Sequence, residues 1–187
     1  MISMKKTNLF LINSNSDLNG SSISLLNHIK YLDGKTFNYF TILPQNGTLV
    51  EMLKNYCNVY IIKMIPITRS FKQLIKLLFS FFKTVLGIRR IIQQNEIDIV
   101  HVNTITNIYC GFACIGLKCK LVYHIREIPG FYPSLIWIIY KLNLYLFADY
   151  YICCSYNVKK YLSIKSLQST VIHNGVILPD LEINSTR

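Results

Sequence analysis

The strongest constraint in this sequence is a rhythm in which short apolar runs, too brief for helices, alternate with polar loops and longer stretches of helical periodicity. The first unit sets the pattern. Leu9, Phe10, Leu11 and Ile12 form a run typical of a strand buried on both faces, as in a parallel sheet. A polar loop containing Gly20 follows, and Ile23, Leu25, Leu26, Ile29 and Leu32 then recur at helical spacing. Ser21 or Ser22 is placed to accept a hydrogen bond from a free N–H of the first helical turn. In an open parallel sheet, ligands bind beyond the carboxyl ends of the strands. A helix N-terminus there offers N–H groups and partial positive charge to an anion. The loop from Ser14 to Ser22 is therefore the first candidate site, although Gly20 can equally be read as a plain loop glycine. As a candidate it permits a positive φ and a close backbone approach.

The alternation continues along the chain. Further strands are expected at 37–43, 58–63, 98–103, 120–126, 150–154 and 170–173, with helices at 48–55, 70–94, 107–117, 133–148 and 157–162. Seven strands alternating with helices predict an α/β fold, a doubly wound, mostly parallel, Rossmann-like sheet with right-handed crossovers. The length of 187 residues suits one domain, read as 1–178, with 179–187 as a polar tail. In the helix at 107–117, Gly111, Ala113 and Gly116 would let the backbone approach the sheet.

Charge narrows the partners. Twenty Lys and Arg against nine Asp and Glu give +11, which favours an anionic partner or, more simply, a basic surface that aids solubility. No nucleic-acid motif is present, so nucleic acid is not the expected partner. The apolar stretch after Lys5 and Lys6 ends at Asn13, too soon for a signal-peptide core. Six cysteines without such a signal indicate a reducing cytoplasm, and their spacing matches no structural zinc site, so they read as small buried apolar residues.

The helix at 70–94 is basic and amphipathic. At 100° per residue, Lys72, Lys76, Lys83 and Arg90 fall within about 40° of one another, opposite Leu74, Leu77, Leu78, Phe81, Val85, Ile88 and Ile92. One reading packs the apolar side on the sheet and leaves the lysines in water. The other adds a contact with an anionic membrane surface, because Phe79 and Leu86 sit on the basic side.

Other polar residues lie at strand ends. His101, inside an apolar strand, reads as a satisfied structural histidine. His124, Arg126 and Glu127 end the fifth strand, where sites cluster in this architecture. Alternation puts His124 and Arg126 on one side and Tyr123 and Ile125 on the other. Arg126 and Glu127 form either a local ion pair or a grip for phosphate or sugar hydroxyls. No G-x-G-x-x-G, P-loop, nucleophile elbow or H-E-x-x-H pattern is present.

Four stretches in this order resemble the N-terminal half of a family 4, GT-B-fold glycosyltransferase over about residues 7 to 178. They are NGSSISLLNHIKYL, DIVHVNT, LVYHIREIPG, and ADYYICCSYNVKKYL followed by VIHNGV. The resemblance implies a two-domain enzyme whose N-terminal domain binds the acceptor and whose C-terminal domain binds a nucleotide-sugar. Asn19, Gly20 and Ser21 match its glycine-rich loop, with Ser21 where a second glycine usually stands. Arg126 and Glu127 match the histidine or acidic pair after the fifth strand and are the candidate catalytic residues. His124, Asn174 and Gly175 complete the substrate-binding set, Asn174-Gly175-Val176 matching the crossover into the second domain and Ser155 the serine ending the preceding strand. The family's basic donor-binding residues and paired glutamates belong to the C-terminal domain, absent from this sequence. The expectations are therefore a glycosyltransferase acting on a lipid-linked or polysaccharide acceptor, inactive alone, partnered by a C-terminal donor-binding domain or subunit, and peripheral at the inner face of the membrane. No cofactor or metal is expected on this chain alone. The cleft face around Gly20, Glu127 to Tyr132 and Asn174 should be left open. The alternative is a non-catalytic membrane-surface module of the same fold.

Overall fold

The computed structural model describes residues 5–31, 34–128, 130, 132–162 and 169–175. Seven strands, β1 (Thr7–Ile12), β2 (Phe37–Leu43), β3 (Asn58–Ile61), β4 (Ile99–Val102), β5 (Lys120–Ile125), β6 (Tyr150–Cys153) and β7 (Ser169–Val171), form one sheet. Between them lie α1 (Gly20–Tyr31), α2 (Thr48–Leu53), α3 (Phe71–Gln94), α4 (Tyr109–Cys114), α5 (Ser134–Phe147) and α6 (Tyr156–Leu162). The strand order is β3-β2-β1-β4-β5-β6-β7, and every pairing is parallel. The expected doubly wound, Rossmann-like sheet is present. Its order reverses between β1 and β4, so the carboxyl ends of those two strands flank the topological switch point.

Alternation along β1 sends Phe10 and Ile12 into one core layer and Leu9 and Leu11 into the other. The first layer joins the sheet to α3, α4, α5 and α6, and the second joins it to α1 and α2. Observed elements are trimmed at their ends. Helix α4 starts only at Tyr109 because Asn107 is engaged elsewhere: its amide donates to Met64 Sδ at 3.0 Å and its carbonyl accepts from the Tyr123 hydroxyl at 3.1 Å.

Two details of packing differ from expectation. Gly111 faces α5 rather than the sheet, since a Cβ there would lie 2.5 Å from Phe147 Cδ2, and Gly116, at φ +69°, closes α4 instead of packing. On α3, Leu74 and Leu78 are exposed, although periodicity puts them with the buried side, because Leu77 alone is buried among residues 71–83. The cysteines at 57, 110, 114, 119, 153 and 154 are free thiols, of which Cys110 and Cys153 are buried. Among the described residues, no group of three or more histidine, cysteine or acidic side chains could hold a metal, and no helix is long and apolar enough to cross a membrane.

Candidate functional site

Helix α1 begins beside the carboxyl end of β1, and Asn19 caps it. Asn19 Oδ1 accepts from the Ser22 backbone N–H at 3.0 Å and from the Ser21 hydroxyl at 2.8 Å. This corrects the expectation of a serine cap: the helix starts at Gly20, so both serines already lie inside its first turn, and the N-cap oxygen reaches the third helical N–H. Gly20 adopts no positive φ, and a Cβ there would meet nothing within 4 Å. What it offers is open space at the helix N-terminus.

Two asparagines that the sequence reading passed over hold this turn from below. Asn13 and Asn103 are both 1% exposed. Asn13 Nδ2 donates to Ser22 Oγ at 3.1 Å, while Asn103 Nδ2 donates to the Ser21 carbonyl at 2.9 Å and to Asn13 Oδ1 at 3.2 Å. A sequence signal existed: each is the amide residue immediately after a buried apolar strand, where an unpartnered polar group would be costly.

Arg126 is the hub of the site. Its Nε and Nη2 donate to Asn103 Oδ1 at 3.3 and 3.2 Å, Nη2 donates to Ser24 Oγ at 2.8 Å, and Nη1 donates to Asn174 Oδ1. One side chain therefore ties the ends of β4 and β5, helix α1 and the segment after β7 together. Of the five guanidinium hydrogens, one on Nη1 is left for a ligand among the described residues. Burial lowers the pKa of Arg126.

Glu127 makes no ion pair with Arg126. Its Oε1 accepts from the Thr104 hydroxyl, and its Oε2 accepts from the backbone N–H of Ile105 at 3.2 Å and of Arg126 at 3.1 Å. Successive side chains leave an extended segment on opposite sides, so Arg126 turns to α1 and Glu127 to the β4–α4 loop.

Three histidines stand below Arg126. His101 and His124 stack with centroids 5.7 Å apart at 11°, and the His28 ring meets them edge-on at 5.9 and 6.4 Å. His124 Nδ1 lies 3.3 Å from Arg126 Nη2. The Nε2 atoms of both His101 and His124 are buried without a hydrogen-bond partner, so His101 is not the satisfied histidine expected. Burial above all, then neighbouring positive charge, pushes both down to about 3, so both rings are neutral at ordinary pH.

The predicted residues thus fall into two groups. Asn19, Ser21, His124, Arg126 and Asn174 are joined by one network of polar contacts through Asn103, with Gly20 between Asn19 and Ser21 at the start of α1 and Glu127 braced beside it; Gly175 is exposed next to Asn174. Lys72, Lys76, Lys83 and Arg90 are exposed on α3, in the opposite helical layer from α1. Val176 and the tail at 179–187 lie outside the described residues, as do Pro129 and Phe131 of the expected open face. On the same side of the sheet as the switch point, Ser14, Met64, Ile65, Thr106 and Tyr109 line a cleft of about 20 Å³, large enough for one water.

The model of the family described as Glycosyltransferase Family 4 matches residues 18–178. The chain belongs to glycosyltransferase family 4. No curated protein matches by sequence. Among solved structures, the lipopolysaccharide outer core galactosyltransferase WaaB in its apo form matches 93% of this chain at 16% identity with a TM-score of 0.69. Anabaena Alr3699/HepE, solved with UDP and glucose, matches 92% at 21% identity and 0.67, and Acinetobacter baumannii MurG matches 91% at 13% identity and 0.63. At these identities the likeness carries the fold, which is that of one half of a GT-B glycosyltransferase. The chain spans 47%, 45% and 47% of those three proteins, about half of each.

Proposed function

We propose that this chain is the acceptor-side half of a family 4 glycosyltransferase, which moves a sugar from a nucleotide-sugar to a lipid-linked or polysaccharide acceptor. A C-terminal donor-binding domain or subunit forms the other wall of the cleft. The observation that supports this reading is the network at the switch point, where Arg126 joins Ser24 in the first turns of α1 to Asn174, on a chain that spans about half the length of HepE and WaaB. The HepE structure contains UDP and glucose, which supports a nucleotide-sugar as donor. In this reading, Gly20 and the N–H groups around it face the donor's phosphate or sugar, and Asn19 and Ser21 hold the turn. The free Nη1 hydrogen and charge of Arg126 meet negative charge developing on the leaving phosphate. His124 steadies the guanidinium, Glu127 fixes the loop in which Arg126 lies, and Gly175 leaves the segment after Asn174 free of side-chain bulk.

The domain works at the inner, cytoplasmic face of the membrane, with Lys72, Lys76, Lys83 and Arg90 toward anionic lipid. The exposed Phe79 and Leu86 beside these cations favour that placement.

The test combines the chain with a separately produced donor-binding half and follows transfer of labelled sugar from a panel of nucleotide-sugars to lipid and polysaccharide acceptors. Transfer should require both halves, and Arg126→Gln should abolish it while both halves still associate. Transfer by this chain unaided would overturn the division of labour.

A further inference from the structure

We propose that Cys114 and Cys119 are a redox pair, which a peroxide converts to a disulfide and a thiol reductant reopens. The pair lies at the amino end of β5, opposite the Arg126 network, and its disulfide would tie the end of α4 to the start of that strand.

The chain itself brings the two residues together. Cys114 is the last residue of α4, and Cys119 immediately precedes β5. Between them Gly116, at φ +69°, lets the backbone reverse, and the Leu117 N–H donates to the Cys114 carbonyl at 3.0 Å. Both cysteines are partly exposed and line one open groove of about 410 Å³, together with Lys118 and Asp149. That space far exceeds what a molecule of peroxide needs. Inside it the two side chains are hydrogen-bonded to each other.

The two sulfurs are not equivalent. Their shared hydrogen bond keeps the proton on Cys114, and burial, Cys110 and Asp149 raise that thiol further. The same hydrogen bond lowers Cys119 below the ordinary thiol range, helped by Arg89 against burial and Asp149. Arg89 is held in place by donating to the Ala113 and Ile115 carbonyls at 3.2 and 2.6 Å. Asp149 is itself neutralised by Lys120 at 2.9 Å. Cys119 is thus the attacking thiolate and Cys114 the resolving thiol.

The other cysteines are placed differently. Cys110 and Cys153 are buried, which fits the reading of small apolar residues. The Cys57 sulfur meets the Thr41 hydroxyl and the Leu53 carbonyl, and that of Cys154 faces the Arg126 carbonyl. Two thiols with no third ligand among the described residues suit electron transfer rather than a metal. In the first step the Cys119 sulfur attacks one oxygen of hydrogen peroxide. An S–O bond forms, the O–O bond breaks and hydroxide leaves, so the sulfur becomes a sulfenic acid as the peroxide takes up two electrons. The Cys114 sulfur then attacks Cys119. The S–S bond forms, the S–O bond breaks, and the departing hydroxide leaves as water with the Cys114 proton. Two thiols and one peroxide give one disulfide and two waters.

Hydrogen peroxide added to the reduced full chain, followed by maleimide capping in denaturant and mass analysis of tryptic peptides, tests the pair. Lys118 lies between the two cysteines, so after cleavage there only a disulfide keeps their peptides together. Fragmentation separates Cys114 from Cys110 on the same peptide. A single Cys114 to Cys119 disulfide should form, two of the six thiols should be lost, and dithiothreitol should restore all six. Cys119→Ser should slow thiol loss about tenfold or more. Cys114→Ser should stop at a Cys119 sulfenic acid that dimedone captures. Thermal unfolding checks that both variants fold, and the wild-type peptide map decides by itself should either not. Six intact thiols in the wild type after a peroxide treatment that oxidises a control dithiol, or a disulfide through any other cysteine, overturns the pair. Undiminished thiol loss in Cys119→Ser does the same for its role as the attacking sulfur.

Discussion

Acidification from pH 7 to pH 5 should cost this fold about 4 kcal/mol, through two histidines. His101 and His124 are 8% and 3% exposed, and burial holds both at about 3 against an ordinary 6.5. In the unfolded chain each takes up a proton below pH 6.5, whereas in the folded chain neither does until about pH 3. The stabilisation is therefore complete above 6.5 and is lost progressively as pH falls from there toward 3. Linkage gives about 2 kcal/mol per histidine between pH 7 and 5, and the figure barely changes for any folded value below about 4. His28, also lowered by burial and by Arg126, acts in the same sense. Urea unfolding at pH 7, 6 and 5 measures the effect, and His101→Gln should remove about half of the pH dependence whatever it does to absolute stability. Equal stability at pH 7 and 5, or an undiminished slope in His101→Gln, would refute the neutral stacked pair.

Other substitutions probe the site and its supports, each read by urea unfolding at pH 7. Asn19→Ala should cost about 1 kcal/mol as the cap of α1 is lost, and Ser21→Ala should cost less, since it is not the cap. Gly111→Ala should destabilise by about 1–3 kcal/mol, because the new methyl collides with Phe147, whereas Gly20→Ala, into open space, should leave the fold intact. Loss of transfer in the reconstituted enzyme by Gly20→Ala would then mark that space as a ligand approach. Arg126→Lys should lose about 2–3 kcal/mol, since an ammonium cannot reach Asn103, Ser24 and Asn174 together; a neutral result would deny its role as hub.

Much of the fold was legible because the two periods differ so clearly. Leu9 to Ile12 could only be a doubly buried strand, and Ile23, Leu26 and Ile29 only a helix, so the βα rhythm and its parallel sheet followed. What the pattern could not give was contact across the fold. Arg126 and Glu127 are neighbours in sequence, which suggested an ion pair. Their partners, Ser24, Asn103 and Thr104, come from α1 and the end of β4, up to 102 positions away. Asn13 and Asn103 escaped notice because an amide after a strand looks like an ordinary loop residue until both are seen buried. Helical periodicity likewise predicted which side of α3 is apolar, but that side is wider than the part that is covered, so Leu77 is buried and Leu74 and Leu78, on its margins, are exposed.

The borders of the sheet are short. Strand β3 contributes four residues and β7 three. Few free backbone groups remain on which a second chain could extend the ladder, so edge-to-edge fibre growth has little template. A preparation that precipitates should therefore do so by clumping of its helical side. Mild detergent should disperse such clumps while denaturant stays unnecessary, and the recovered material should show native rather than cross-β spectra.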